Sequence, residues 1–217
     1  MSCDHKFTEG ELTEDLYRRY PALLPLQGDI SAAADRLTDC LRAGGRVFLC
    51  GNGGSSADCA HIAGELLKGF LSRRLPPEEI RSRFRAKGPL GELVADQLQG
   101  SLGAVDLTAQ GAIIAAVAND CDPRMAYAQQ LWGLGRKGDL LIGISTSGNA
   151  ENVRCAALVA KALGMTTLAL TGASGGAMGK EFDLAVRVPS GHTPEVQEYH
   201  LPVYHYLCAV AEARLFD

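Results

Sequence analysis

The sequence predicts an α/β protein: a doubly wound parallel sheet of about five strands flanked by helices, preceded by N-terminal helices. Two observations carry this. Short apolar runs of strand length alternate with stretches of helical period, the pattern of β-α units that builds a parallel sheet. Three of those runs end in turns of Gly, Ser and Thr, the chemistry found where ligands meet the carboxyl ends of such strands. The chain has 217 residues, 47% of them hydrophobic, enough for one domain with a buried core.

The elements follow in order. Residues 11–24 and 30–42 read as helices within an N-terminal segment of 1–44, the second with Ala33, Leu37, Cys40 and Leu41 at helical spacing and Gly44-Gly45 to stop it. Residues 46–50 form a buried strand and 55–70 a helix. Residues 71–100 separate that helix from the next strand by more than the usual few residues, and carry Arg73, Arg74, Arg81, Arg83, Arg85 and Lys87. They read as a solvated excursion or, more sharply, as a basic lid or oligomer contact beside an anionic ligand, with Pro76-Pro77-Glu78-Glu79 able to start a short helix. Residues 102–107 form a second strand and 111–118 a helix. Asp122-Pro123 offers an N-cap with proline at the first helical position for a helix to about 134. Residues 139–144 are the clearest strand and 150–163 a helix ended by Gly164. Strands over 165–170 and 184–188 precede a last helix from about 194 to 216. The whole chain, 1–217, reads as a single domain.

Composition excludes several classes. A net charge of −4 gives no support for a nucleic-acid surface, and no apolar run reaches membrane-spanning length. Met1-Ser2-Cys3-Asp4-His5-Lys6 lacks an apolar signal core. Seven cysteines, an odd number without CxxC spacing, fit reduced thiols in a cytoplasmic protein.

The chemistry concentrates in two turns. Gly51-Asn52-Gly53-Gly54-Ser55-Ser56 joins a strand to a helix, so its amides and Ser55 lie at a helix N-terminus that attracts an anion. Ser145-Thr146-Ser147-Gly148-Asn149 repeats the arrangement with three hydroxyls, suited to phosphate oxygens that only accept. Neither turn has the P-loop or GxGxxG spacing, so no nucleotide cofactor is expected. His61 and Glu65, four residues apart, share a helix face. Taken singly, His61 is a packed or capping histidine and Glu65 a solvated helix residue. Gln197 and His205 are eight residues apart, about 80° around a helix, so both can face one cleft.

On these residues (the two turns, His61, Glu65, Gln197 and His205) the chain resembles the sugar isomerase (SIS) family, in its phosphoheptose isomerase branch. The resemblance runs from about residue 45 to the C-terminus and implies an SIS fold. It implies a phosphosugar aldose–ketose isomerase, converting sedoheptulose 7-phosphate to D-glycero-D-manno-heptose 7-phosphate through an enediol. Glu65 would move the carbon-bound proton and His205 would be its acid–base partner. Asn52, Gly53, Gly54, Asn119, Asp120, Ser145, Thr146, Ser147 and Gln197 would contact the phosphorylated sugar, with Ser55 and the second turn holding its phosphate. His61, Glu65, Gln197 and His205 match residues that bind zinc in some members, a mixed shell because an amide oxygen is a weak zinc ligand. The family is typically a homotetramer with sites at subunit contacts, without nucleic-acid or membrane partners. The roles suit the residue types: a carboxylate can carry a proton between adjacent carbons, and histidine, titrating near neutrality, can serve the oxygens.

The sequence also departs from the family. Ala150 stands where a serine usually follows the second turn, removing one phosphate hydroxyl. Pro202 lies inside the last helix, where its missing N–H predicts a kink. Residues 71–100 are longer than the usual loop, which leaves another sugar phosphate open as substrate. A second class is a non-catalytic SIS protein that binds phosphosugars or a protein partner, as in replication-initiator regulators. Such relatives tend to lack the full His/Glu/Gln/His set.

Overall fold

The computed structural model describes residues 7–216; the N-terminal Met1-to-Lys6 reading lies outside the described residues. Helix α1 (Glu9–Arg19) opens on a capping box in which Thr8 and Glu11 satisfy each other's backbone N–H. The expected helix over 11–24 is cut short. Pro21 and Pro25 remove two N–H donors, and Pro21–Leu26 winds instead as a 3-10 helix. The chain continues through α2 (Gln27–Arg42), β1 (Val47–Gly51), α3 (Gly54–Leu67), α4 (Glu78–Arg85), α5 (Pro89–Gln97), β2 (Ala104–Asp106) and α6 (Gly111–Asp120). After a 3-10 turn at Pro123–Met125 come α7 (Ala126–Leu134), β3 (Leu140–Ser145), α8 (Glu151–Ala162), β4 (Thr166–Thr171), α9 (Met178–Glu181), β5 (Leu184–Arg187) and α10 (Thr193–Phe216).

All five strands pair in parallel, in the order β2-β1-β3-β4-β5. The three central strands, β1, β3 and β4, bury both faces. Val47, Leu49, Leu140, Ile142 and Ile144 join one core with α1, α2, α3 and α10. Phe48, Cys50, Leu141 and Ala169 join the other with α7, α8 and α9. The strand order reverses at β1, which lies between β2 and β3. The crevice outside the carboxyl ends of β1 and β3 is therefore the topological switch point, where open α/β sheets bind ligands.

The segment over 71–100 folds as an α4–α5 hairpin, with Pro77 at the N-cap of α4 as Pro76-Pro77-Glu78-Glu79 predicted. Most of its arginines find partners close by. Arg81 and Arg85 pair with Glu78 and Asp96, and Arg83 pairs with Glu79. Arg73 donates to the Asp96 carbonyl, and Arg74 is buried against Glu212. The expected strand over 102–107 pairs only at Ala104–Asp106, and α10 runs as one helix through Pro202.

Candidate active site

The two polar turns meet at the switch point. Gly51, the last residue of β1, pairs with Ile144, one residue before the second turn begins. Gly53 turns the chain into α3 at φ +56°, a left-handed conformation that glycine adopts without steric cost, and no side chain caps the helix. The second turn enters α8 at Ala150, where again no side chain caps the helix. Both helix N-termini thus present backbone amides to whatever occupies the crevice. Ser55 and Ser145 are buried. Thr146 Oγ1 meets Thr193 Oγ1 at 3.5 Å, which brings the start of α10 to the second turn. The Gln197 amide lies against Gly54 so closely that a Cβ there would overlap it.

The third turn, after β4, is a buttress. Gly172 N–H donates to the Thr146 carbonyl, Met178 N–H to that of Gly148, and Ala177 N–H to Asn149 Oδ1. Asn52 is held from two sides. It exchanges a reciprocal pair of 2.9 Å hydrogen bonds with Asn152, and Tyr127 Oη donates to the Gly51 carbonyl at 2.6 Å. Asn119 and Asp120 bond each other at the exposed end of α6.

His61, Glu65 and His205 gather two turns further along the same helices. His61 Nε2 lies 3.2 Å from Glu65 Oε1 and 3.4 Å from His205 Nε2. Glu65 is mostly buried; its Oε2 makes no hydrogen bond and has Lys68 Nζ at 3.5 Å. Burial, followed by the charges of His61 and Arg19, pushes His205 below the ordinary histidine value, against the opposing pull of Glu65. His205 is therefore neutral at physiological pH and able to accept a hydroxyl proton. Behind them Tyr204 Oη touches both His61 Nδ1 at 3.1 Å and Asp58 Oδ1 at 3.3 Å.

Gln197 reaches α3 near its N-terminal end, where its amide packs against Gly54. Seven residues of α3 separate Gly54 from His61, about 10 Å of helix axis. His61, Glu65 and His205 suit zinc by type. In a tetrahedral site with bonds near 2.0–2.1 Å, ligand atoms stand roughly 3.3 Å apart, the spacing of His61 from both Glu65 and His205. Among the described residues, however, no three His, Cys, Asp or Glu side chains close into a metal shell.

Sequence reasoning passed over Asp58, Tyr204 and the Arg74–Glu212 pair. Asp58 had a visible signal, three residues before His61 on the same face. Tyr204 lies in an aromatic stretch with Tyr199 and Tyr206 whose pattern is that of core packing, and Arg74 lies among other arginines.

Known proteins match this chain in sequence and in fold. The SIS domain model matches residues 23–89 and 101–172. A phosphoheptose isomerase of Akkermansia muciniphila is 36% identical over 197 residues, 91% of each chain. One from Roseiflexus is 39% identical, over 87% of this chain and 83% of that one. The solved phosphoheptose isomerase structures from Neisseria gonorrhoeae and Francisella tularensis each superpose with a TM-score of 0.69, at 28% and 30% identity, covering 94% of this chain and 92% of theirs. The chain belongs to the SIS domain family, among its phosphoheptose isomerases.

Proposed function

We propose that this protein interconverts the ketose and aldose forms of a phosphorylated heptose, sedoheptulose 7-phosphate. The observation that carries the reading is the pairing of an uncapped anion cradle with a carboxylate–histidine group about 10 Å along the same helix. An extended seven-carbon chain with its phosphoester spans roughly 10 Å. With the phosphate at Ser55 and Ser145-Thr146-Ser147, the first two carbons reach His61, Glu65 and His205. The exposed residues of α3 between them, Gly54, Ala57, Ala60 and Gly64, are small and let a polyol lie close to the helix.

The reaction needs no outside reductant. Glu65 takes the proton from the hydroxyl-bearing carbon beside the carbonyl, and electrons move toward the carbonyl oxygen. Neutral His205 takes the hydroxyl proton and returns it to the other oxygen, giving an enediolate. Glu65 then delivers its proton to the neighbouring carbon, and the carbonyl reforms on the adjacent one.

Zinc belongs to this reading as a second proposal. His61, Glu65, Gln197 and His205 are the residues that would hold it. Bound there, it would polarise the sugar oxygens; the proton steps above do not depend on it. Metal analysis of the purified protein tests it. We further propose a homotetramer in the cytoplasm. The exposed apolar helix α6 supports the oligomer. Cys40, Cys50, Cys59, Cys121, Cys155 and Cys208, all free thiols, support the compartment.

The decisive experiment is turnover of sedoheptulose 7-phosphate by the wild type and by Glu65→Gln, with folding followed by circular dichroism. The wild type converts it, and the variant loses roughly 10²- to 10⁴-fold in kcat, the usual contribution of a general base. If the folded wild type converts neither this nor any other ketose phosphate, the protein binds phosphosugars without catalysis and the proposal fails.

A further inference from the structure

We propose that Asn152 is a positioning residue for the substrate: paired amide to amide with Asn52, it straps the two polar turns together across the sheet edge and presets the Asn52 side chain for the sugar phosphate. The inference rests on the isomerase reading for the identity of that ligand.

The need for a strap follows from the topology. The first turn leads into α3, which packs on one face of the sheet through Cys59, Ile62 and Leu66. The second leads into α8, which packs on the other face through Val153, Ala156 and Ala160. The two helices thus leave neighbouring strands toward opposite faces, and the backbone pairing of those strands ends at Gly51 and Ile144. Beyond that point Asn52 is exposed and is followed by Gly53 and Gly54, the residue type that restrains the backbone least. Asn152, the second residue of α8, closes the gap. Asn52 Nδ2 donates to Asn152 Oδ1 and Asn152 Nδ2 donates to Asn52 Oδ1, both at 2.9 Å, between residues 100 apart in sequence. Asn152 is anchored in turn: its Oδ1 also accepts the Val153 N–H at 3.0 Å, one of the first-turn amides that a helix leaves without an internal partner.

The residue type fits the neighbourhood. A side-chain amide carries a donor and an acceptor side by side, so two of them make two bonds to one another. A carboxylate at either position would accept only, and would set a negative charge among helix N-termini that favour an anionic ligand. The pair is exposed, where a hydrogen bond competes with water and adds little to stability, so its effect lies in geometry. It uses one hydrogen of the Asn52 amide and leaves the other for a ligand oxygen. Holding Asn52 in one rotamer beforehand removes an ordering cost that binding would otherwise meet. His61 stands about 10 Å of helix axis beyond Gly54, so the effect falls on binding rather than on the proton steps.

The test is a double-mutant cycle on Asn52→Ala and Asn152→Ala, read by calorimetric binding and by turnover of sedoheptulose 7-phosphate, with folding checked by the urea midpoint. We expect Asn152→Ala to raise Kd and KM roughly 3- to 10-fold, the cost of ordering one side chain, with kcat unchanged. Added to Asn52→Ala, the same substitution should change neither constant further, because a residue that acts through Asn52 then has nothing left to act on. Should Asn152→Ala fold poorly, Asn152→Ser, a residue suited to helix N-termini but too short to reach Asn52, is read the same way. Wild-type Kd and KM in the single variant overturn the proposal, and so does a further rise in the double variant, which marks a contribution that bypasses Asn52. A protein that binds the sugar phosphate and shows this pattern in Kd, yet turns over no ketose phosphate, sinks the isomerase reading and leaves the assignment standing. A folded wild type that binds no ketose phosphate overturns both.

Discussion

His200 shows how one side chain sets a condition for the whole fold. It is wholly buried, with neither ring nitrogen hydrogen-bonded, and burial lowers its pKa to about 4. The unfolded chain binds a proton near pH 6.5, whereas the folded one resists until about pH 4. Where the unfolded state holds more protons, stability rises with pH. The folded state therefore keeps its full margin above about pH 6.5 and loses roughly 3 kcal/mol as the pH falls from there to 4. His200→Leu abolishes this titration. In urea unfolding, the stability difference between pH 7 and pH 4.5 should shrink by roughly 2–3 kcal/mol relative to wild type. An equal acid loss in the variant would assign the effect to other groups. His205, which burial also holds below the ordinary histidine value, is neutral where the fold keeps its full margin.

At the scale of elements, the C-terminal end of α3 is fixed by a buried ion pair. Arg74 donates from Nε to Glu212 at 2.6 Å, from Nη1 to the Leu66 carbonyl at 2.7 Å and from Nη2 to the Glu65 carbonyl at 3.0 Å. Glu212, from α10, also accepts the N–H groups of Phe70, Leu71 and Ser72. One guanidinium thus caps the helix that carries Glu65 and ties the root of the α4–α5 hairpin to α10. Arg74→Met strands a buried carboxylate and should cost about 3–5 kcal/mol, read from the urea midpoint. Arg74→Met with Glu212→Leu should recover part of that loss; if the double variant is no better than the single, the cost lies in helix capping alone. None of this was visible in the sequence, where Arg74 is one of six cations in a polar stretch and Glu212 lies 138 residues away. Elements with local causes were legible. Apolar runs at 46–50 and 139–144 found β1 and β3, Gly164 ended α8, and two glycine-rich turns marked the switch point. Residues set by tertiary contact were not. The three-residue β2 exists only because β1 pairs with it, and the Gln197 amide finds its place because Gly54 has no side chain.

For the whole molecule the open question is what covers α6. Its sequence, Gly-Ala-Ile-Ile-Ala-Ala-Val-Ala-Asn-Asp, carries no charge before Asp120, yet Val117 is its one buried residue and Ile113 is 39% exposed. The other exposed positions include Ala112, Ala115, Ala116 and Ala118. A helix this apolar gains nothing from facing water, and small side chains allow close approach of another backbone, so a second copy of the chain is the occupant that fits the proposed tetramer. Ile113→Glu places a charge in that contact without touching either core cluster. Sedimentation velocity should show the wild type as a tetramer and the variant dissociated, with unchanged helical content. Turnover should fall with dissociation if the site is shared between copies, and persist in the separated subunits if the cradle and the Glu65–His205 group of one chain suffice. An Ile113→Glu protein that remains tetrameric would remove α6 from the interface. The 10 Å span along α3 would then have to stand alone as the reason the substrate is a heptose.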